Sequence, residues 1–368
     1  MADRVAALGS STTLADRKRR AGQRLILGFE GHAVDDDFRR IVAEIQPAGF
    51  ILFRRNVAEP AQVRDLNREL ASLVSPHSPA LISIDQEGGR VQRVRATEWP
   101  AMRTVGNANM DTEKVAHALG TELRAMGFNL NFAPVADVDS NPANPVIGDR
   151  SFGSRASDVA RHVIAWTKGQ QAAGVIACAK HFPGHGDTDQ DSHLELPRVE
   201  REGPDLEQLE LVPFRAAVSA GVGSIMTAHV MFPAWDEEVP ATMSERIIRG
   251  ILRNKLGYHG VVFSDDLEMG AVRDRWTVHK QVRDATASTV DVFLCCRTPQ
   301  LQLKVHEELI RCQESDQAQH QLTIDATRRV HALRERFLLG AGPPPDLSVV
   351  GQHAFKELAQ LVNSRGMA

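Results

Sequence analysis

The 368-residue sequence contains no long hydrophobic run, and this excludes several classes of protein. No stretch approaches the roughly 20 apolar residues that a membrane-spanning helix needs, so we expect no membrane partner. The amino-terminal stretch MADRVAALGSSTTLADRKRR has no apolar core of signal-peptide length, and its basic cluster follows the small residues instead of preceding them. The sequence therefore predicts a cytoplasmic protein.

Cysteine and aromatic residues are also scarce. The chain has four cysteines and no CxxC pair, so neither a disulfide framework nor a zinc ribbon is expected. Reduced, buried thiols fit a cytoplasmic protein best. The cysteines are Cys178, Cys295, Cys296 and Cys312.

An excess of positive charge is missing as well. Lysine and arginine number 43 against 47 aspartates and glutamates, giving a net charge of -4. A nucleic-acid-binding protein normally presents a basic face, so we expect no nucleic-acid partner. Hydrophobic residues make up 42% of the chain, which is enough to bury a large core. At this length, one large domain or two modest ones are both possible.

Eight short apolar runs alternate with longer segments of helical period. The runs are rich in Val, Ile, Leu and Phe without strict alternation, which is typical of parallel strands covered on both faces. Serines and glycines at helix ends suit caps: Ser157 and Ser244 at amino-terminal ends, and Gly127, Gly174 and Gly257 at carboxyl ends. The runs are 24–29, 49–53, 80–85, 128–134, 174–181, 223–230, 260–266 and 290–296, and the helix candidates include 61–74, 112–127, 157–174 and 244–257.

Eight strand–helix units favour an α/β fold of the (β/α)8 TIM-barrel type over a doubly wound sheet, which stays an alternative. We expect residues 1–340 to form this single barrel domain. The Pro-rich stretch GAGPPPDLS (340–348) then separates a short helical tail, 341–368, that packs on the barrel.

Polar residues follow several of the apolar runs at their carboxyl ends, where barrel enzymes place their chemistry. Asp85 ends the third run, Lys180 and His181 the fifth, and Asp265 the seventh. His229 and Asp266 end the sixth and seventh runs in the same way. For any single residue the alternative is that strand ends meet loops, where polar residues are common. The set as a whole favours an active site.

The stretch AKHFPGHGDTDQDSH (179–193) carries three possible kinds of site. Asp187, Asp189 and Asp191 reproduce the start of a calcium loop, but Ser192 stands where the turn glycine belongs and Arg198 where the bidentate glutamate belongs. The sequence therefore argues against calcium.

A zinc site is the second possibility. The HExxH arrangement is absent, although His181, His185 and His193 could still converge on a metal ion. We expect no metal and no cofactor.

The third possibility is a proton shuttle. Asp191 and His193 are two residues apart, so in an extended segment both side chains point the same way and the carboxylate can hold the imidazole. An imidazole with a free pKa of about 6.5 is suited to this task. Gly184 and Gly186 would make such a loop pliable. A surface loop with an accidental pair is the alternative.

Together the motifs resemble a known family. AKHFPGHGDTDQDSH, IDQEGGRVQR (84–93), IGDRSFG (147–153), PATMS (240–244) and VVFSDDLEMGAV (261–272) are similar to the bacterial β-N-acetylglucosaminidases of glycoside hydrolase family 3. The resemblance runs from about residue 22 to about residue 340.

This resemblance implies a (β/α)8-type barrel and hydrolysis with retention through a glycosyl-enzyme. It implies Asp265 as the nucleophile and His193 as the general acid/base with Asp191 as its partner. A histidine donor fits the chemistry, because it avoids a second anion beside the nucleophile. The sugar-binding positions that the resemblance implies are Asp85, Arg93, Arg150, Lys180 and His181.

The expected substrate is a small carbohydrate with terminal β-linked N-acetylglucosamine, such as GlcNAc-1,6-anhydro-MurNAc fragments of the cell wall, and the expected state is a monomer. Asp266 favours this branch, because relatives acting on glucose or xylose commonly have tryptophan there. The stretch GHGDTDQDSH is longer than in many relatives, which leaves the aglycone in doubt. Another sugar, phosphate as acceptor, or a non-catalytic carbohydrate-binding barrel are the alternatives.

Overall fold

The computed structural model describes residues 13–188 and 196–367. Eight parallel strands close into a barrel, so the predicted (β/α)8 fold is confirmed, and each predicted apolar run contains all or most of one barrel strand. Around the barrel the order is β1-β10-β9-β8-β7-β6-β3-β2, and β4 and β5 form a small antiparallel pair after β3. The strands are β1 Leu25–Leu27, β2 Gly49–Leu52, β3 Leu81–Ile84, β4 Gln86–Gly88, β5 Val91–Gln92, β6 Leu130–Asn131, β7 Ile176–Phe182, β8 Ser224–Thr227, β9 Val261–Asp266 and β10 Val292–Cys295.

Helices surround the barrel, and the last of them forms the tail. The α-helices are α1 Leu14–Gly22, α2 Asp36–Ile45, α3 Pro60–Ser72, α4 Met102–Asn107, α5 Thr112–Ala125, α6 Ala156–Ala172, α7 Gly203–Gln208, α8 Leu211–Ser219, α9 Gly270–Arg273, α10 Val278–Ala287, α11 Pro299–Ser315, α12 Gln317–Phe337 and α13 His353–Gly366. A π-helix spans Arg246–Lys255, and 3₁₀ turns span Arg54–Asn56, Gly148–Arg150, Ala241–Met243 and Leu347–Val349.

The helix ends match the predicted caps in part. Gly127, Gly174 and Gly257 have positive φ angles of 88°, 81° and 67°, as the carboxyl-terminal cap prediction requires. The Ser157 prediction is wrong, because α6 already begins at Ala156 and Arg155 holds the cap position. Ser244 lies just before the π-helix, and its Oγ accepts a hydrogen bond from the backbone N–H of Ile247 at 3.2 Å.

Apolar side chains fill the barrel interior, and a helix closes the barrel at the amino-terminal ends of the strands. Phe132 and Phe263 meet edge-to-face with ring centroids 5.5 Å apart. Val330 and Leu333 of α12 are buried in the same cluster, so α12 covers the amino-terminal ends of the strands. The opposite end, at the carboxyl ends of the strands, is left for the site.

The carboxyl-terminal tail is helical and lies against the barrel. Phe355 of α13 packs on Trp99 with ring centroids 6.1 Å apart. The backbone N–H of Gly351 donates to Oε1 of the buried Glu122 at 2.7 Å. The four cysteines are buried and form no disulfide. Among the helices of residues 13–188 and 196–367, none combines the length and apolarity needed to cross a membrane.

Candidate active site

A pocket of about 280 Å³ opens at the carboxyl ends of the strands, where barrel enzymes place their active sites. Six of the eight predicted site residues line it, although they come from distant parts of the chain. The other two, Asp191 and His193, lie outside the described residues. The six are Asp85, Arg93, Arg150, Lys180, His181 and Asp265.

Lys180 is held between two carboxylates. Its Nζ lies 2.7 Å from Asp85 Oδ1 and 2.7 Å from Glu87 Oε1. Arg93 Nη2 lies 3.5 Å from the other oxygen of Asp85. Burial alone would raise the pKa of Asp85, but Lys180 and Arg93 outweigh burial and lower it. Asp85 is therefore a fixed anion at the pocket wall.

Arg150 pairs with Glu87 in a two-pronged arrangement. Arg150 Nε and Nη2 each lie 2.9 Å from one oxygen of Glu87. Burial would raise the pKa of Glu87, but Arg150 and Lys180 hold it well below its usual range. The bidentate geometry fixes the plane of the guanidinium. Glu87 thus orients two predicted sugar-binding cations at once.

His181 contacts a buried carboxylate that was not predicted from the sequence. Its Nδ1 lies 2.7 Å from Asp137 Oδ2, and the other Asp137 oxygen accepts the backbone N–H groups of His181 and His185 at 3.1 and 2.8 Å. Asp137 is fully buried, and His181 lowers its pKa against the opposing effect of burial. The other ring nitrogen, Nε2, lies 3.5 Å from Arg150 Nη2. The imidazole is thereby fixed in orientation.

Asp265 is the penultimate residue of β9, is partly exposed and lines the pocket. Its Oδ1 accepts the backbone N–H of Asp266 at 2.8 Å, and Oδ2 has no hydrogen-bond partner within the described part of the chain. Burial raises the pKa of the neighbouring Asp266 to about 7, with Glu268 and Asp265 adding to the shift. His229, also predicted to lie at this end, bonds to Thr242 and to the carbonyl of Asp266. Asp265 therefore presents a free carboxylate oxygen.

The segment that leads towards Asp191 and His193 is tightly packed at its start. A Cβ added at Gly186 would lie 1.6 Å from the carbonyl oxygen of Val138, and one at Gly184 would lie 2.3 Å from Glu210 Oε2. These glycines permit close approach of neighbouring groups, which is a different role from the pliability we expected. Asp187 pairs with Arg201 at 2.6 Å and so joins residues on both sides of 189–195.

Glu210 lies beneath this segment as a buried carboxyl group. Burial raises its pKa to about 8, with further contributions from Asp137 and Asp187. Its Oε1 accepts a long hydrogen bond of 3.4 Å from Ser140 Oγ. Glu210 therefore carries its proton at neutral pH.

Two of the missed residues had a signal in the sequence. Glu87 lies two residues after Asp85 in the same motif, and Asp137 follows the fourth apolar run as Asp85 follows the third. Their partners, Arg150 and His181, are 63 and 44 residues away. These two ion pairs form because the closed barrel brings distant segments together, so the spacing of the residues in the sequence could not predict them.

No group of three His, Cys, Asp or Glu side chains in residues 13–188 and 196–367 is arranged to hold a metal ion. The ring nitrogens Nδ1 of His181 and His185 face Asp137 and Thr188. The zinc alternative also needs His193, which lies outside the described residues.

The class of protein follows from the barrel, the carboxylate-lined pocket and the comparison with known proteins. The profile described as "Glycosyl hydrolase family 3 N terminal domain" matches residues 17–333. A beta-hexosaminidase from Nitrosomonas eutropha is 38% identical over 75% of this chain and 81% of its own length. One from Alkalilimnicola ehrlichii is 40% identical over the same shares.

Solved structures agree with the sequence comparison. A glycoside hydrolase family 3 beta-N-acetylglucosaminidase from Paenibacillus sp. superposes with a TM-score of 0.90 at 40% identity, covering 97% of this chain and 69% of that one. NagZ from Neisseria gonorrhoeae, in complex with N-trifluoroacetyl-D-glucosamine, gives 0.76 at 30% identity, covering 93% and 98%. The chain belongs to glycosyl hydrolase family 3. It is a glycoside hydrolase of the beta-hexosaminidase kind.

Proposed function

We propose that the protein is a retaining exo-β-N-acetylglucosaminidase. The observation that carries the proposal is the convergence of six predicted residues on one pocket of about 280 Å³. Asp85 offers a fixed anion to sugar hydroxyls, and the cations beside it offer charge-assisted donors. A pocket of this size suits one terminal sugar. The beta-N-acetylglucosaminidase title of the Paenibacillus structure supports the choice of sugar.

In the proposed mechanism, the free oxygen of Asp265 attacks the anomeric carbon while His193 gives its proton to the leaving oxygen. His193 donates as the imidazolium, which Asp191 stabilises. After the transfer, Asp191 accepts the remaining ring N–H and fixes the tautomer of the neutral imidazole. Water, deprotonated by His193, then attacks the same carbon and releases Asp265. Two displacements restore the β configuration.

The first test replaces the nucleophile. Asp265→Asn should lower kcat/KM for p-nitrophenyl β-N-acetylglucosaminide by about 10³-fold or more, because the covalent step is lost. Asp274→Asn is the matched control, since Asp274 is exposed and pairs only with Arg273 among the described residues. Full activity in Asp265→Asn would eliminate the mechanism.

The second test separates the acid role from binding. His193→Ala should keep substantial activity on aryl glycosides with very good leaving groups and lose it on a natural disaccharide, because only the latter needs protonation of the leaving oxygen. Equal loss on both substrates would count against the acid role.

The natural substrate we propose is GlcNAc-1,6-anhydro-MurNAc, with or without its peptide, released during cell-wall recycling in the cytoplasm and cleaved by a monomer. A screen over aryl glycosides of N-acetylglucosamine, N-acetylgalactosamine, glucose and xylose tests the sugar preference. Products formed with and without phosphate test whether water is the acceptor. Preference for glucose, or a sugar phosphate product, would contradict the proposal.

A further inference from the structure

A second cavity lies at the other end of the barrel and has no part in the proposed reaction. It has a volume of about 680 Å³ and is bounded by α1, the end of α2, the segment 74–78 before β3, and α12. These elements surround the amino-terminal ends of β1, β2 and β3, whereas the active-site pocket opens at the carboxyl ends. Its lining is therefore independent of the sugar site.

The cavity concentrates positive charge in a chain whose net charge is -4. Five lysine and arginine side chains line it against one carboxylate, Glu44. Lys18 neutralises Glu44 at 2.9 Å. The other ion pairs that these lysines and arginines form within the described part of the chain, Arg19 with Asp16 and Arg328 with Asp325, are exposed and weak. The five cations are Lys18, Arg19, Arg20, Arg328 and Arg334.

Arg334 is a buried guanidinium with an uncompensated charge. It is only 3% exposed, and its donors reach neutral acceptors: the carbonyl oxygens of Pro79 and Ala48, each at 2.9 Å, and Gln23 Oε1 at 2.7 Å. No carboxylate of residues 13–188 or 196–367 forms an ion pair with it. Burial lowers its pKa to about 10. Since buried charges are normally paired, an anion in the cavity would supply the missing negative charge.

Arg20 has an unused donor at the same place. Its Nη1 is buried and has no hydrogen-bond acceptor within the described part of the chain. Burial lowers its pKa, and the neighbouring Arg19 and Arg328 lower it further, against the raising effect of Asp16. A buried donor without an acceptor destabilises the folded protein, and a bound anion would provide the missing acceptor.

We propose that this cavity is a binding site for a compact multivalent phosphate anion. The planar guanidinium fork matches phosphate oxygens, so Arg20 and Arg328 supply the main contacts. Arg334, which is buried in the cavity wall, adds positive charge. Ser75, His77 and Ser78 line the same cavity and add further hydrogen-bond donors.

Calorimetric titration with inorganic pyrophosphate at constant ionic strength tests the site. Wild-type protein should bind it saturably, and Arg20→Gln/Arg328→Gln should weaken binding by about 10-fold or more, because two charged donors are removed. The control variant Arg161→Gln/Arg311→Gln removes the same charge from exposed positions on α6 and α11 that do not line the cavity. It should bind as the wild type does. Because the sugar pocket is untouched, both variants should hydrolyse the aryl N-acetylglucosaminide normally.

Two results would overturn the proposal. The first is that the wild type does not bind pyrophosphate. The second is that the two double variants bind it equally, which would place the anion elsewhere, for example at the cations of the sugar pocket. Stability without pyrophosphate provides a second readout. Since Arg20 and Arg328 repel each other, Arg20→Gln/Arg328→Gln should melt at or above the wild-type temperature. A lower melting temperature together with unchanged pyrophosphate affinity would assign these arginines a purely structural role.

Discussion

At the scale of single residues, buried carboxylates hold the charged groups that line the pocket and that we propose bind the sugar. Glu87 fixes Arg150 and Lys180, and Asp137 fixes His181. The three partners that these carboxylates hold were predicted from the sequence because they match the family motifs. The two carboxylates were missed because their function depends on contacts between distant segments of the chain.

Asp137 provides the sharpest test of this arrangement. Asp137→Asn should lower kcat/KM by about 10–100-fold, because His181 loses a charge-assisted hydrogen bond and its fixed orientation. Steady-state kinetics on the aryl N-acetylglucosaminide measure the effect. Asp139→Asn is the control: Asp139 pairs with Arg103 at 2.6 Å and does not line the pocket. Equal kinetic losses in the two variants would contradict a specific role for Asp137.

Glu210 predicts a pH dependence of stability. Its pKa is about 8 in the folded protein and about 4.5 when unfolded, so the folded state holds the extra proton between these values and stability falls as pH rises through this window. Glu210→Gln should remove this loss and raise the free energy of unfolding at pH 8 by about 4 kcal/mol, with little change at pH 4.5. Urea denaturation at both pH values measures it. A variant no more stable than wild type at pH 8 would show that Glu210 ionises freely.

At the scale of elements, the apolar runs predicted the barrel strands well. Each barrel strand is buried on both faces, so it is rich in apolar residues. The helix starts were less predictable. Ser157 lies inside the first turn of α6, and the segment after Ser244 winds as a π-helix. Serine favours a cap wherever one is needed, but packing against the barrel decides where the helix begins.

The segment 184–188 tests the close-packing role of its glycines. Gly184→Ala should destabilise the protein by about 2 kcal/mol or more, because the new Cβ would meet the Glu210 side chain at a residue with φ of 146°. Gly153→Ala should be nearly neutral, since nothing lies within 4 Å of its Cβ position. Thermal melts of the two variants provide the comparison. Equal melting temperatures would mean that the segment moves to accommodate the new Cβ. Gly184 would then make the loop pliable, as the sequence predicted.

At the scale of the whole molecule, the active-site pocket opens at one end of the barrel and α12 covers the other. The helical tail packs beside α4, and none of its described residues lines the active-site pocket. We therefore propose that the tail contributes stability and not catalysis. The sequence predicted a tail from its Pro-rich boundary, but it held no signal for the surface on which the tail packs.

Phe355→Ala tests this division. Losing the contact with Trp99 should lower the free energy of unfolding by about 1–3 kcal/mol and leave KM and kcat unchanged. The control is His353→Ala, because His353 is largely exposed on the same helix. Denaturant unfolding and kinetics of both variants are the measurements. An altered KM in Phe355→Ala would connect the tail to the pocket.

The central claim is that Asp265 attacks the anomeric carbon of N-acetylglucosamine. Incubation with an activated 5-fluoro-N-acetylglucosaminide, followed by proteolysis and mass spectrometry, tests it most directly, because fluorine slows release of the glycosyl-enzyme. We expect one sugar per chain, attached to Asp265. A sugar on Asp85 or Asp266, or turnover without any adduct, would contradict it.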